Sequence, residues 1–293
     1  MNAKVFFFFL LISSWGQTQV VDSSRIEFFK EIVYTLADDS MRGRATSSPE
    51  ETKSLDFIAS IVRRETKGKL KTQCFTIQAS DSTELTSKNG YVFINNHAKE
   101  TILIGAHYDH IGMGGKLSLS LKNNEVHNGA DDNASGVALA LDLLNHLKTV
   151  KSNKNYLFVF YSGHEIGLFG SAAFADFCQS KRKLKNITTV INFDMVGRLD
   201  ANMKRLKCMS SLPNDSILSG TDAAKFGLNI FIAEKEKLDQ LDTKVFHQKG
   251  IPCLNFTTGI HDDYHATTDD PKYISCDGML LISNYLLDLI QKL

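Results

Sequence analysis

Apolar and polar positions along the chain change between helical and strand periods. From Ser24 to Leu36, apolar residues recur at the three- and four-residue spacing of an amphipathic helix. A second helix is predicted to begin after Ser48, where proline and two acidic residues follow a capping side chain, and to run to about Arg64. Beyond it, the pattern predicts strands at 102–105, 156–161, 189–193 and 253–257, and helices at 135–147, 168–177, 216–226 and 278–293. Strands that alternate with helices predict an α/β fold with a mostly parallel sheet covered on both faces.

The first residues have a different composition. Lys4 is followed by an apolar run from Val5 to Ile12 and then by small residues up to Gly16. This order is typical of a secretory signal peptide, and the run is shorter than the ~20 apolar residues of a membrane-spanning helix. We therefore predict a signal peptide over 1–16 and a single mature domain over 17–293. The mature chain is expected to be exported, periplasmic or extracellular, with no stable membrane insertion after cleavage.

Composition narrows the class of protein. The chain has 293 residues, 43% of them hydrophobic, which suits one α/β domain with a sizeable core. Lys and Arg together number 33, as do Asp and Glu, so no basic excess indicates a nucleic-acid partner. The five cysteines include no Cys-x-x-Cys pair, which argues against a cysteine zinc site, and their odd number leaves at least one unpaired within the chain.

Imidazole and carboxylate side chains follow the predicted strands, where ligands bind in open α/β sheets. The five candidates are His107, Asp131, Glu165, Asp194 and His265. Each has an ordinary explanation when taken alone; an aspartate before a helix, for example, can be a cap. Together they would be costly to bury without a cation, and they are the donors that zinc prefers. Because paired metals ~3.5–4 Å apart usually share one carboxylate, we predict a two-metal site.

Six stretches carry a resemblance to a known family. In chain order they are AHYDH, HNGADDNASG, HEIGLFGS, NFDMVG, a GIP turn and HDDYHATTDD. In motifs and order, the chain resembles the M28 family of co-catalytic zinc aminopeptidases over nearly the whole mature sequence, with no room for the inserted protease-associated domain of some relatives. The resemblance implies a three-layer α/β/α sandwich around a mixed sheet of about eight strands. It also implies two Zn²⁺ per chain and hydrolysis of the N-terminal residues of peptides.

The same resemblance implies roles for the candidate residues. Asp131 would bridge the two metals, with His107 and Asp194 completing one site and Glu165 and His265 the other.

Four further residues would surround these ligands. Asp109, which could also accept the other ring N–H of His107, and Asp269 match outer carboxylates of the family. Asp132 is expected to lie outside the ligands or to contact substrate. Two roles are open for Tyr264, which are stabilising an oxyanion and packing beside His265.

The chain departs from the family pattern at two places. Where relatives have two adjacent glutamates, the first acting as general base, this chain has His164-Glu165. Three roles stay open for His164: it serves as the base, it is an extra ligand or substrate contact, or it marks a loss of hydrolysis. Leu241-Asp242-Thr243 stands where relatives often have Ser-Asp-His, in a region that shapes the substrate pocket, so substrate preference cannot be carried over.

Two other functions compete with peptide hydrolysis. A glutaminyl cyclase shares the implied fold but works with a single zinc, and the presence of both His107 and Asp194 argues against it. The non-enzyme alternative is an inactive peptidase fold that binds metal and peptide. A Ser-His-Asp hydrolase is disfavoured because no Gly-x-Ser-x-Gly follows any predicted strand. The sequence does not indicate an oligomeric state.

Overall fold

The structure, a computed structural model, describes residues 22–78, 84–120, 124–220, 223–233 and 235–293. The predicted signal peptide lies outside the described residues. The strands are β1 Lys71–Gln78, β2 Glu84–Ile94, β3 Glu100–His107, β4 Lys154–Tyr161, β5 Ile187–Phe193, β6 Arg205–Ser210, β7 Asn229–Ala233 and β8 Cys253–Thr257. The α-helices are α1 Ser23–Leu36, α2 Pro49–Thr66, α3 Gly136–Leu147, α4 Phe169–Ser180, α5 Ser216–Gly220, α6 Lys244–Gln248 and α7 Cys276–Lys292.

The eight strands form one mixed sheet in the order β1-β2-β4-β3-β5-β8-β6-β7. The central strands β4, β3, β5 and β8 run parallel to one another, and β7 is parallel to β6. Antiparallel pairs join β1 to β2, β2 to β4 and β6 to β8. The predicted mixed, mostly parallel sheet of about eight strands is therefore confirmed.

Helices cover both faces of this sheet. Side chains on β3 alternate between two cores, since Ile102 and Ile104 pack with α1, α2, α3 and α7, whereas Leu103 packs with α4 and α6. The central strands are consequently apolar on both faces, which is why they were recognisable as continuous apolar runs. The arrangement is the α/β/α sandwich expected from the sequence.

Four strands were missed in the sequence pattern. On β1, only Phe75 and Ile77 are buried while their neighbours along the strand are at least partly exposed. Such half-buried strands carry a weak alternation that polar residues obscure, and β2 is similarly interrupted. β6 and β7 have only six and five residues, and β7 has no buried residue. The helix predicted over 216–226 corresponds to α5 and a 3₁₀ turn at Ala223–Phe226.

The start of α2 agrees with the capping residues predicted from the sequence. Ser48 is the N-cap, and its hydroxyl accepts a hydrogen bond of 3.0 Å from the backbone N–H of Glu51. Pro49 occupies the first turn, where its missing N–H costs nothing. Within the described ranges, none of the helices combines the length and the apolar character that crossing a membrane requires.

Candidate metal centre

The predicted site residues converge at the carboxyl ends of the parallel strands. His107 is the last residue of β3, Asp194 follows β5, and Glu165 lies in the loop after β4. His265 comes from the long loop after β8. Asp132 stands just before α3 and completes the group. We call these five residues the strand-end cluster.

The tautomer of His107 is set by a backbone carbonyl. Its Nδ1 lies 3.1 Å from the carbonyl oxygen of Asp109, which can only accept, so Nδ1 carries the proton. The Nε2 atom then directs its lone pair toward two carboxylates, with Asp132 Oδ1 at 3.3 Å and Asp194 Oδ1 at 3.7 Å. A ring nitrogen and carboxylate oxygens that face each other in a buried place need a proton or a metal ion between them.

His265 repeats this arrangement on the other side of the cluster. Its Nδ1 donates to the carbonyl oxygen of Leu117 at 3.0 Å. Its Nε2 lies 3.1 Å from Glu165 Oε2 and 3.3 Å from Asp132 Oδ2. Imidazoles whose second nitrogen is held in this way are typical of metal ligands.

Asp132, and not Asp131, occupies the central position of the cluster. Its Oδ1 faces His107 and its Oδ2 faces His265, so one carboxylate is shared between two imidazoles. The assignment of Asp131 to this position was therefore wrong by one residue. Both backbone N–H groups, of Asp131 and Asp132, donate to Asp269 Oδ2 at 2.9 and 3.0 Å, which holds this turn in place. The peptide bond between Asp132 and Asn133 is cis.

Asp131 has its own partners away from the cluster. Its Oδ1 accepts from the backbone N–H of Gly197 at 2.6 Å and from the Ser135 hydroxyl at 2.9 Å, and its Oδ2 lies 3.1 Å from His261 Nε2. Adjacent carboxylates in an irregular turn point in different directions, and only the folded backbone determines which one faces the strand ends.

Glu165 contacts two imidazoles, one of which the sequence analysis did not assign to the site. Its Oε2 faces His265, and its Oε1 lies 2.8 Å from Nδ1 of His110. His110 is buried, and its Nε2 has no hydrogen-bond partner among the described residues. Its place in the stretch AHYDH, beside His107 and Asp109, was the only signal available.

The predicted outer carboxylates position the backbone around the cluster. The Asp109 carboxylate accepts from the N–H of His164 at 3.2 Å and of Glu165 at 3.4 Å, and from the Thr46 hydroxyl at 2.8 Å. The contact of Asp109 with His107 runs through its carbonyl oxygen, because its carboxylate is 3.8 Å away. The proposed carboxylate–imidazole bond is thus corrected.

Asp269 and the fully buried Arg44 organise the turn before α3. Asp269 receives the two N–H groups named above and Nη2 of Arg198 at 3.1 Å. Arg44 donates to the carbonyl oxygens of Tyr108, Leu36, Asn128 and Gly129. Arg44 was not singled out in the sequence, yet it joins the segments that carry the ligands.

His164 lies against the cluster as a stacked ring. Its ring is parallel to that of His107 within 7°, with centroids 3.8 Å apart. Nδ1 lies 2.9 Å from Oδ2 of the buried Asp242, and Nε2 is 3.8 Å from Asp194 Oδ2. Burial and His107 lower the pKa of His164, but Asp242 and Asp194 outweigh them and raise it to about 9.

Tyr264 packs on the ring of His265. The two rings are 4.0 Å apart at an angle of 23°. Of the two roles open for this tyrosine, packing beside His265 is the one that this contact supports.

The donor set fits metal ions. His107, Asp132 and Glu165 each offer one ligand atom within 4.8 Å of the others, as do His107, His164 and Asp194. The Nε2 atoms of His107 and His265 are buried without a hydrogen-bond partner among the described residues. Burial lowers the pKa of His265, but the Asp132 and Glu165 carboxylates raise it to about 10, so they hold a proton where a metal would otherwise bind.

Imidazole and carboxylate donors that converge at the strand ends of an α/β sheet are typical of metal-dependent hydrolases. Residues 89–290 match the profile of peptidase family M28, and the chain belongs to that family. Aminopeptidase YwaD of Bacillus subtilis (strain 168) is 28% identical over an aligned length of 217 residues, and the match covers 70% of this chain and 43% of that protein. The chain therefore spans less than half the length of this relative.

Solved structures show the same fold. BSAP, a zinc aminopeptidase from Bacillus subtilis, superposes with a TM-score of 0.73 and 18% identity, over 91% of this chain and 95% of that chain. The glutaminyl cyclase of Fimbriiglobus ruber superposes with a TM-score of 0.77 and 22% identity, over 91% and 94%. Both functions therefore occur on this fold, and the choice between them depends on the site.

Proposed function

We propose that this protein is a two-zinc aminopeptidase that removes N-terminal residues from peptides. The observation that carries the proposal is the Asp132 carboxylate, whose two oxygens each lie 3.3 Å from a different imidazole. A carboxylate shared in this way is what a pair of metal ions requires as its bridge. The aminopeptidase relatives and family membership support the same activity.

Five residues would hold the two ions. His107 and Asp194 would hold one, Glu165 and His265 the other, and Asp132 would serve both. When bound, zinc polarises the scissile carbonyl, lowers the pKa of an attacking water and offsets the carboxylate charge around His164.

His164 is placed to act as the general base. Asp242 can only accept when ionised, so Nδ1 of His164 donates to it and Nε2 is left to accept a proton. The stacked ring of His107 and the buried Asp242 hold the imidazole in one orientation. His164 then takes a proton from the attacking water and delivers it to the leaving amine, the task of the family's first glutamate.

Export to the periplasm or the outside of the cell is part of the proposal. It rests on the short positive segment and apolar run of residues 1–16.

The test combines a metal count with kinetics. We expect two zinc ions per chain by elemental analysis and hydrolysis of dipeptides and aminoacyl anilides that stops when the metals are removed. His164→Ala is expected to lower kcat by ~10²–10⁴-fold, the usual contribution of a general base, while the zinc count stays at two.

Three other outcomes would contradict parts of this function. Two bound zinc ions without turnover on a broad peptide panel would identify a binding protein. One zinc per chain, with cyclisation of N-terminal glutamine, would identify a glutaminyl cyclase. A strong gain of activity in His164→Glu would show that His164 is a poor base.

A further inference from the structure

A cavity of about 330 Å³ opens beside the strand-end cluster and extends over β6, β7 and β8. At one end it is bounded by Asp132, Asp194 and His164. From there it runs along the sheet face that carries Lys207 and Met209, below the 3₁₀ segment at 235–240. A side chain that enters it would therefore belong to a residue held at the cluster.

Lys207 faces this cavity because of the alternation along β6. Its neighbours Leu206 and Cys208 are buried in the core on the opposite face of the sheet. Gly259 makes room for the lysine, since a Cβ atom at that position would lie 2.9 Å from Lys207 Nζ. Lys207 forms no ion pair with a carboxylate of the described residues, whereas Arg198 and Lys249 do.

A second unpartnered donor lines the same cavity. Asn255 on β8 is fully buried, and its Oδ1 accepts from Asn192 at 2.8 Å. Its Nδ2 has no hydrogen-bond partner among the described residues. β8 and β6 are paired so that Asn255 lies opposite Met209 and Thr257 opposite Lys207, which places these polar groups side by side. Oδ1 of Asn192 also lacks a partner among the described residues, so this pair of amides leaves a donor and an acceptor unpaired, which indicates that a polar ligand group belongs there.

Away from the strand-end cluster, the charged side chains that line the cavity are positive. Among the described residues that line the cavity beyond Asp132, Asp194 and His164, the charged ones are Lys207 and Lys237. Met195, Met209 and Leu241 supply apolar parts of the lining. This combination suits a short aliphatic chain that ends in a carboxylate.

We propose that the cavity selects peptides whose first residue has an acidic side chain, glutamate or aspartate, with Lys207 as the main determinant. This inference rests on the proposed aminopeptidase function. In such an enzyme the first residue's side chain is the part that can occupy a cavity beside the cluster, while the remaining peptide continues into solvent. The substrate carboxylate then pairs with Lys207 and accepts from Asn255, and the methylene groups contact the methionines.

The experiment compares isosteric substrates on the zinc-loaded protein. Peptides that differ only in beginning with Glu, Gln, Leu or Lys are assayed for kcat/KM. We expect kcat/KM for the Glu peptide to exceed that for the Gln peptide by about 10-fold or more, because only the Glu carboxylate forms a charge-assisted hydrogen bond with Lys207. Lys207→Met and Lys207→Gln are each expected to abolish this ratio by lowering kcat/KM for the Glu peptide. Lys204→Met is the control, since it removes the same charge just before β6 without altering the cavity lining.

Each remaining result separates this inference from the proposed function. If Leu or Lys peptides are cleaved best and Lys207→Met leaves the Glu/Gln ratio unchanged, the acidic preference is wrong and the aminopeptidase stands. If no peptide is cleaved, the proposed function fails, and calorimetric binding of the Glu and Gln peptides decides the preference. Tighter binding of the Glu peptide that is lost in Lys207→Met supports it, whereas equal affinity overturns it.

Discussion

This protein has two clusters of polar side chains that differ in how their charges are paired. The first is the helix cluster, formed by Arg25 on α1, Asp142 on α3, and Ser283 and Asn284 on α7. The Arg25 guanidinium donates to the Asp142 carboxylate, to the Ser283 hydroxyl at 2.6 Å and to Asn284 Oδ1 at 2.6 Å. Its charge is matched by Asp142, which also accepts from Ser283 at 2.6 Å. The charged groups of the helix cluster are therefore paired with one another.

The carboxylates of the strand-end cluster, in contrast, are not paired with an arginine or a lysine of the described residues. Its three carboxylates face imidazole nitrogens whose tautomers are set by the carbonyl oxygens of Asp109 and Leu117. Arg44, the nearby buried cation, donates to backbone carbonyls and not to these carboxylates. A polar group that satisfies itself holds helices together, whereas one that needs an external cation is a binding site. Substitutions in the two clusters should therefore have opposite consequences for stability and function.

The largest effect is expected at Asp132. Asp132→Asn should bring activity down to the level of the metal-free protein and lower the zinc count, because the shared carboxylate is lost. Asp131→Asn, its neighbour, should cost only the ~10–100-fold typical of an outer partner. Zinc stoichiometry and kcat/KM of both variants check this order. Full loss in Asp131→Asn with an active Asp132→Asn would place the bridge at Asp131, the residue that the family resemblance implied.

The helix cluster should lose stability and keep function. Asp142→Ala leaves the largely buried Arg25 guanidinium without its carboxylate partner and is expected to lower the free energy of unfolding by about 3–5 kcal/mol. Urea unfolding measures this, and Asp288→Ala, which removes an exposed partner of Lys292 on α7, should change it by less than ~1 kcal/mol. The zinc count should be unchanged in both. Loss of zinc in a folded Asp142→Ala protein would contradict the separation of the two clusters.

A smaller effect is expected at Glu51, which is buried behind the site. It accepts from the Ser87 hydroxyl at 2.8 Å and the Ser47 N–H at 2.8 Å. Burial, and then Asp109, raise the pKa of Glu51 from 4.5 to about 7. The folded state thus binds the proton more tightly than the unfolded chain. Its contribution to stability is complete below about pH 4.5 and is lost as the pH rises to about 7.

Glu51→Gln should remove that pH dependence. Relative to wild type, the variant is expected to avoid a loss of about 3 kcal/mol between pH 4.5 and 7, from ~1.4 kcal/mol per pKa unit. Urea unfolding across this range measures the difference, with Glu50→Gln as the control on the same helix. An equal slope in wild type and Glu51→Gln would show that the carboxyl is ionised throughout.

Much of the fold could be predicted because its central strands are buried on both faces and its helices have apolar stripes. The strands at 102–105 and 253–257 and the helices beginning after Ser48 and at 278 were found from such patterns. The predictions failed for β1 and β2, where burial on one face leaves a weak alternation among polar residues. Asp131 and Asp132 are adjacent in the sequence, so the sequence pattern does not distinguish which of the two carboxylates faces the strand ends.

The sequence by itself determined the class of sheet and the kinds of donor at the strand ends, because these depend on local periodicity and on the order of residues along the chain. Only the tertiary structure decided that Asp132 is the shared carboxylate, that Asp242 orients His164, and that Lys207 faces a cavity beside the cluster. These facts depend on side-chain directions in irregular turns and on contacts between distant segments. No local pattern encodes such contacts, since they arise when the strands pair and the loops close over their ends.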